Sequence, residues 1–266
     1  MSNQLIFDLA RSASLKGIEM RKMIIYLLCL LVAPLSLSFI RRQDSLFVSN
    51  AAQTNERDNQ AKRNFPVADI NEPDSDDSAK GRAKNEKRQR FNAWHMVSPE
   101  PQPWVAERVV SSEGYNDLPA LPVEQSDMIL IATVTSSEAH VSGNRMAVFS
   151  EFNIVVESVL KTSEDIKEGS LLTVTRIGGY VKYPNGQQIL SRVNGINMPQ
   201  VGSRYLFFLG AKRKPDLIIL TGYELASQGV LALDFGWQYL ALDGISEAEI
   251  QKRARDLLTK VNVRKN

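Results

Sequence analysis

Residues 149–160 read FSEFNIVVESVL, and this stretch decides the fold class. Its side chains alternate, because Phe152, Ile154 and Val156 fall on one face of an extended chain while polar side chains fall on the other. A period of two over so long a segment predicts a half-buried β-strand. Residues 128–134 read MILIATV, a continuous apolar run rich in branched side chains, which is typical of a central strand.

The sequence that follows repeats this pattern between turn signals. Further strands are predicted at residues 171–177, 180–183, 188–193, 205–209, 216–223 and 230–235. The glycine pair at 178–179 predicts a bend or bulge. Asn185 followed by Gly186 predicts a hairpin turn, because this pair tolerates positive φ.

A helix is predicted at the end of the chain. Ser246 and Glu249 form a capping box, which begins a helix by satisfying its first backbone N–H groups. One apolar stripe follows, made of Ile250, Ala254, Leu257, Leu258 and Val261. We therefore expect a mainly β fold, a small barrel or sandwich (OB-like) of about seven strands with a C-terminal α-helix.

The N-terminal part carries a hydrophobic segment. Residues 23–40 read MIIYLLCLLVAPLSLSFI, without a charge, and Arg21 and Lys22 precede them, which is typical of a membrane-targeting segment. Two interpretations stay open: a signal peptide with a secreted or periplasmic product, or a single-pass transmembrane anchor in the cell membrane. In both, the β domain lies outside the cytoplasm. Residues 1–22 are then a cytoplasmic N-region, and Met1, Met20 and Met23 are all open as the true start.

The segment that follows changes in composition. Residues 41–92 are rich in Asn, Asp, Gln, Lys, Arg and Ser, so they bury too little apolar surface to offset their ordering entropy. We predict a disordered charged linker there and a mostly β domain over residues 93–266. The basic run at residues 80–90 fits a solvated tether better than a polymer-binding site, since no aromatic side chain lies between the cations.

Composition narrows the chemistry. The chain has 32 basic and 30 acidic side chains and a net charge of +2, so no strong field argues for nucleic acid as a partner. Its one cysteine, Cys29, lies in the hydrophobic segment, which leaves the domain without disulfides or thiolate metal sites. His95 and His140 alone cannot build a multi-histidine zinc site. We therefore predict no metal and no cofactor.

Candidate site residues are few. A nucleophilic triad needs a base, and His140 lies in a polar run that predicts a solvent-exposed loop, so we predict no catalytic residue. A cationic groove of the kind that OB-type barrels use for polymers is the other candidate. The candidate binding residues of this groove are Arg176, Tyr180, Lys182, Arg192 and Arg204, and His140 is a separate candidate binding residue. The alternative is scattered strand-edge charges that discourage aggregation.

The order of motifs is similar to that of a group of uncharacterised exported bacterial β-barrel proteins. The residues that carry this resemblance are Ala132-Thr133-Val134-Thr135, Val159-Leu160-Lys161, Gly178-Gly179 and the segment VGSRYLFFL at 201–209. The same layout more loosely resembles netrin-module and metalloproteinase-inhibitor domains, which implies an OB-type barrel. Those inhibitors use a terminal cysteine to reach a metal, so inhibition does not carry over to a domain without cysteine.

Three functions follow as hypotheses. The first is a non-enzymatic binding or assembly module for an envelope protein, glycan or other polymer. The second is an enzyme of unrecognised type that uses His140. The third is a structural envelope component without a discrete ligand. The oligomeric state and the ligand stay open.

Overall fold

The computed structural model describes residues 57–111, 117–213 and 216–265. The chain divides into two units, residues 1–59 and residues 60–266, and of the first only 57–59 are described. The predicted N-region and hydrophobic segment therefore lie outside the described residues. Within the described part of the chain, every helix is too short or too polar to span a bilayer.

From residue 63 onward, the described residues form ten strands and three helices. In chain order they are β1 (Val67–Asp69), α1 (Ala79–Arg90), β2 (Glu107–Val110), β3 (Met128–Val141), β4 (Val148–Lys161), β5 (Leu171–Ile177), β6 (Gly179–Lys182), β7 (Gln188–Val193), β8 (Arg204–Arg213), β9 (Asp216–Ala226), β10 (Gly229–Ala232), α2 (Trp237–Leu240) and α3 (Glu247–Lys265). The mainly β fold with a C-terminal helix is confirmed. The prediction of about seven strands is too low, because strands as short as β1 and β2 are too brief to show a period.

Five strands form a closed ring in the order β9-β5-β4-β3-β8, with β8 pairing back to β9. Four of the five pairings are antiparallel, and only β5 and β9 run parallel. The predicted alternation of β4 is confirmed, since Phe152, Ile154 and Val156 are buried and their neighbours are half-buried. They join Leu130 of β3 and Phe207 of β8 in one apolar core.

A second, four-stranded sheet lies in the order β1-β6-β7-β2. Its centre is the predicted hairpin, which turns at Asn185 and Gly186, and Gly186 has a φ of +83°. Each outer edge of this hairpin pairs with a parallel strand, β1 on one side and β2 on the other. Phe91 stacks on Phe149 of β4 in the core beside this sheet, with ring centroids 4.1 Å apart.

The prediction of a disordered linker over residues 41–92 is wrong for the part from residue 57 onward. This part contains β1 and α1, and its sparse apolar side chains Phe65, Ala68 and Ile70 are all buried. Ser78 caps α1 by accepting a hydrogen bond from the Gly81 N–H at 3.0 Å. The average composition does not reveal these contacts. A few buried apolar residues and one helix cap are enough to order the segment, because β1 also pairs with the edge of β6.

Helix α3 begins as its capping box predicts, with the Glu249 N–H donating to Ser246 Oγ at 3.2 Å. Ile250 and Ala254 are fully buried on the outside of the ring. The backbone at Gly229 lies close to the segment that leads into α3. Gly229 has a φ of +119°, and a Cβ there would lie 2.7 Å from the Gly244 carbonyl oxygen. A side chain at 229 would therefore push the β9–β10 turn away from the residues that lead into α3.

Candidate functional site

The predicted cationic groove does not have free arginines. Arg176 is 1% exposed, and its guanidinium donates to both carboxylate oxygens of Asp234 at 2.8 and 2.7 Å. Thr221 donates to the same carboxylate, and so does the backbone N–H of Asn197. This buried polar cluster ties the segment after β10 to the ring, so Arg176 has a structural contact rather than an open surface.

The other two arginines bind different carboxylates. Arg192 donates to Glu107 of β2, and Arg204 donates to Glu157 of β4 at 2.9 Å. The hydrogen bonds that Arg204 donates to Glu157 and Glu247 raise the pKa of its guanidinium above its ordinary value. Each of the three arginines therefore binds a carboxylate of its own neighbourhood: Asp234 for Arg176, Glu107 for Arg192 and Glu157 for Arg204.

The remaining candidates on β6 differ from each other. Tyr180 is half-buried and packs against the core of the ring, while Lys182 is exposed at the end of the strand. A stacking platform needs an open ring face beside the cations, and Tyr180 instead covers apolar side chains. In the ladder, Tyr180 lies opposite Leu190 and Lys182 lies opposite Gln188 of β7, the strand that carries Arg192.

His140 is not in an exposed loop, so that interpretation is wrong. It is the penultimate residue of β3, pairs with Phe149 across the ladder, and its side chain is 3% exposed. Its Nδ1 lies 2.9 Å from a carboxylate oxygen of Glu72. Glu138 and Glu151 lie on the side of Nε2, at 3.8 and 3.9 Å. The polar residues that suggested a loop are the solvated face of a strand that continues to Val141.

The surroundings of His140 determine the charge of Glu72. Burial alone would raise the pKa of this carboxyl, but hydrogen bonds from His140 and Lys84 outweigh it and lower the pKa to about 2. Lys84 Nζ lies 3.0 Å from the carboxylate. Glu72 therefore stays ionised through the physiological range and links α1 to the end of β3.

Helix α1 adds further charge contacts at this junction. Lys87 lies 2.7 Å from Glu151, and Arg90 lies 2.7 Å from Asp216. Arg88 is 1% exposed and donates from Nε to the Val141 carbonyl at 2.9 Å. In the described residues no group of three or more His, Cys, Asp or Glu side chains is arranged to hold a metal ion. The junction consists of side chains that bind one another.

A concave region lies between residues 119–125 and the C-terminal half of α3, and we call it the α3 groove. Its volume is about 550 Å³, within the roughly 300–1,000 Å³ of ligand pockets. It is lined by Pro119, Ala120, Leu121, Val123, Glu124, Gln125, Leu242, Arg253, Asp256, Leu257, Lys260 and Val261. The lining is mainly aliphatic, and the charged side chains of both signs are more exposed than the aliphatic ones.

The α3 groove forms because the apolar stripe of α3 extends beyond the outer surface of the ring on which the helix packs. The first two residues of its stripe, Ile250 and Ala254, are fully buried, whereas Leu257, Leu258 and Val261 are only half-buried. The stripe therefore continues past the point where the ring covers it. This partly covered apolar face makes the groove a candidate interaction surface.

The opposite wall is fixed by the ring. Tyr223 of β9 donates its hydroxyl to the Ala120 carbonyl at 2.7 Å, and Lys161 of β4 donates to the Val123 carbonyl at 2.9 Å. Burial raises the pKa of the Tyr223 hydroxyl far above its ordinary value, so the hydroxyl keeps its proton and its role as a donor. The groove is therefore preformed on both sides.

The sequence predicted one wall of this site and missed the other. The apolar stripe of α3 was visible as a helical period, but residues 119–125 read PALPVEQ, a short apolar run whose two prolines leave neither a helical nor a strand period. Their position depends on contacts with β4 and β9, which no local pattern encodes.

Comparison with known proteins adds no relative to this picture. No family model matches the chain, and no curated protein or solved structure matches it either. The resemblance to exported bacterial β-barrel proteins stays a prediction, and the function must be argued from the groove itself.

Proposed function

We propose that residues 60–266 form an OB-like barrel that works as a non-enzymatic binding or assembly module of the cell envelope. In chain order the ring strands are β3, β4, β5, β8 and β9, and the last two are exchanged in the ring. Five strands closed in this order, with the third and fifth parallel, have the connectivity of OB-type barrels. This supports the finer fold assignment.

One end of the surface that OB-type barrels usually offer to polymers is covered in this chain. That surface comprises the second and third strands, the turn between the first two strands and the loop between the last two. Here the turn at residues 142–147 is bound by Asn92, whose side chain accepts a hydrogen bond from the Asn144 N–H at 2.9 Å. On the second strand, Glu151 binds Lys87. The protein's own segment around α1 therefore occupies this end of the face, which favours a binding site elsewhere.

The α3 groove is the observation that carries the proposal. Its floor is aliphatic, its walls are fixed, and its rim holds single charges, as in grooves that receive an apolar polypeptide segment. A glycan would be expected to need planar aromatic platforms, and the lining contains no aromatic side chain among the described residues. We therefore favour an envelope protein over a glycan as the partner.

The targeting part of the proposal rests on residues 23–40. An uncharged apolar run behind basic residues would deliver the β module across the membrane, either anchored in one pass or released after cleavage. The groove would then meet its partner outside the cytoplasm.

Site-specific photo-crosslinking of the full chain in intact cells tests the binding function. A benzophenone amino acid replaces Lys260 in the groove or, as a control, Lys252 on another face of α3 that is also exposed. We expect a defined polypeptide adduct from position 260 and none from position 252. The adduct should be lost in the Leu257→Asp background. The same labelling at both positions, or none at either, would overturn the proposal.

A further inference from the structure

One row of α3 side chains forms the helical wall of the groove. Arg253, Asp256, Leu257, Lys260 and Val261 follow the spacing i, i+3, i+4, i+7 and i+8, which places them on one face. Three charges therefore share this face with two aliphatic side chains, and Arg253, Asp256 and Lys260 leave the helical wall with one excess positive charge. Glu124 of the opposite wall balances the charges of the groove as a whole.

Two of these charges have no ion-pair partner within residues 57–111, 117–213 and 216–265. Asp256 and Lys260 are exposed and lie one turn apart. Arg253, in contrast, is paired with Glu249 at 2.8 Å. Asp256 and Lys260 lie one turn apart beside the half-buried Leu257 and Val261. A partner surface that carries the same two charges in reverse order would be complementary to them.

A second copy of the chain presents that reverse order. An antiparallel α3 related by a two-fold axis at the level of residue 258 brings residue 256 of one copy level with residue 260 of the other. Each lies about 3 Å from the axis along the helix, since the rise is about 1.5 Å per residue. Asp256 then faces Lys260 of the other copy, and the pairing occurs twice. Leu257 lies between the two pairs, and Val261 lies just beyond them.

We infer that the occupant of the α3 groove is a second copy of this chain, in an isologous dimer through antiparallel α3 helices. This rests on the proposed binding function of the groove. A two-fold contact needs a self-complementary surface, and the balanced charges of the rim meet that requirement. Val263, 71% exposed at the end of α3, is a further apolar side chain that such a contact would cover.

Charge exchange tests the dimer, with self-association of the full chain in detergent micelles measured by sedimentation velocity. Asp256→Lys and Lys260→Asp each place like charges opposite one another at both ends of the contact. We expect each to weaken dimerisation about tenfold or more, since two exposed pairs change from attraction to repulsion. The double variant D256K/K260D restores opposite charges and should associate within about threefold of the natural chain. Lys252→Asp is the matched control and should change nothing.

Two results would overturn the inference. One is a natural chain that stays monomeric at about 100 μM, well above the dissociation constant of a specific weak dimer. The other is a double variant as weak as the single ones. Because residues 252, 256 and 260 are all exposed, we expect each variant to keep α3 intact. Circular dichroism checks this.

The crosslinking experiment separates this inference from the proposed function. An adduct from position 260 that maps to residues 253–264 of a second copy supports both. An adduct with a different protein, together with a monomeric chain, leaves the binding function standing and rejects the second copy as occupant.

Discussion

Helices α1 and α3 are attached to the same ring by opposite means. Helix α1 carries six basic side chains and no apolar residue larger than alanine. It is attached through charges and a buried guanidinium, Arg88. Helix α3 is attached through an apolar stripe that includes Ile250. Hydrogen bonds and ion pairs hold α1 at the positions of their acceptors. Apolar contact holds the first part of α3 on the ring, and the rest of its apolar stripe is only partly covered and lines the groove.

The attachment of α3 should be the more costly to break. Ile250→Ala removes a fully buried side chain between the helix and the ring, and we expect a loss of about 2–5 kcal/mol in the free energy of unfolding. Val261→Ala, at the groove end of the same stripe, should cost less than about 1 kcal/mol, because that side chain is only half-buried. Denaturant unfolding monitored by circular dichroism measures both. Equal losses would mean that the helix is covered uniformly.

The attachment of α1 should depend on Arg88 above its other residues. Arg88→Met leaves the buried carbonyl of Val141 without its donor and also removes the hydrogen bond to Pro73, and we expect a loss of about 2–3 kcal/mol. Arg82→Met, on an exposed position of the same helix, is the control and should change stability by less than about 0.5 kcal/mol. Chemical denaturation of the two variants decides this. A loss at Arg82 as large as at Arg88 would contradict the buried contact.

Acid should act on the α1 side through Glu72. The pKa of Glu72 is lowered to about 2 in the folded chain, so its contribution is fully present above its unfolded value near 4.5 and is lost as the pH falls toward 2. Solvent screening limits this contribution to about 1 kcal/mol. The Glu72→Gln variant should show a smaller loss of stability between pH 5 and pH 2 than the natural chain. Glu164→Gln, in an exposed loop, should follow the natural chain.

Salt should have the smallest effect, and on the α1 side it should act through Lys87. Lys87 contacts Glu151 at 2.7 Å and Asp216 at 3.6 Å, and its replacement by Gln should cost about 0.5–1 kcal/mol at low ionic strength. The difference should shrink toward 1 M NaCl, where screening is strong. Lys80→Gln on the exposed side of α1 should show no such dependence. Thermal unfolding across a salt series provides the measurement.

The same contrast explains which predictions were correct. The alternation of Phe152, Ile154 and Val156 foretold β4, because the period of an extended chain is a local property. His140 was assigned to a loop because its neighbours are polar, yet the ladder with β4 continues through it and buries it. Arg176 was assigned to a surface, and its carboxylate partner Asp234 lies 58 residues away in the sequence.

The sequence by itself determined the strand periods, the hairpin turn and the capped C-terminal helix. Each of these arises from the steric and hydrogen-bonding preferences of residues that are close together in the chain. Only the tertiary structure decided that the basic segment folds back onto the ring, that the arginines pair with carboxylates and that a groove opens beside α3. Those outcomes depend on groups far apart in the sequence, whose mutual burial and charge neutralisation take effect only when the ring has closed.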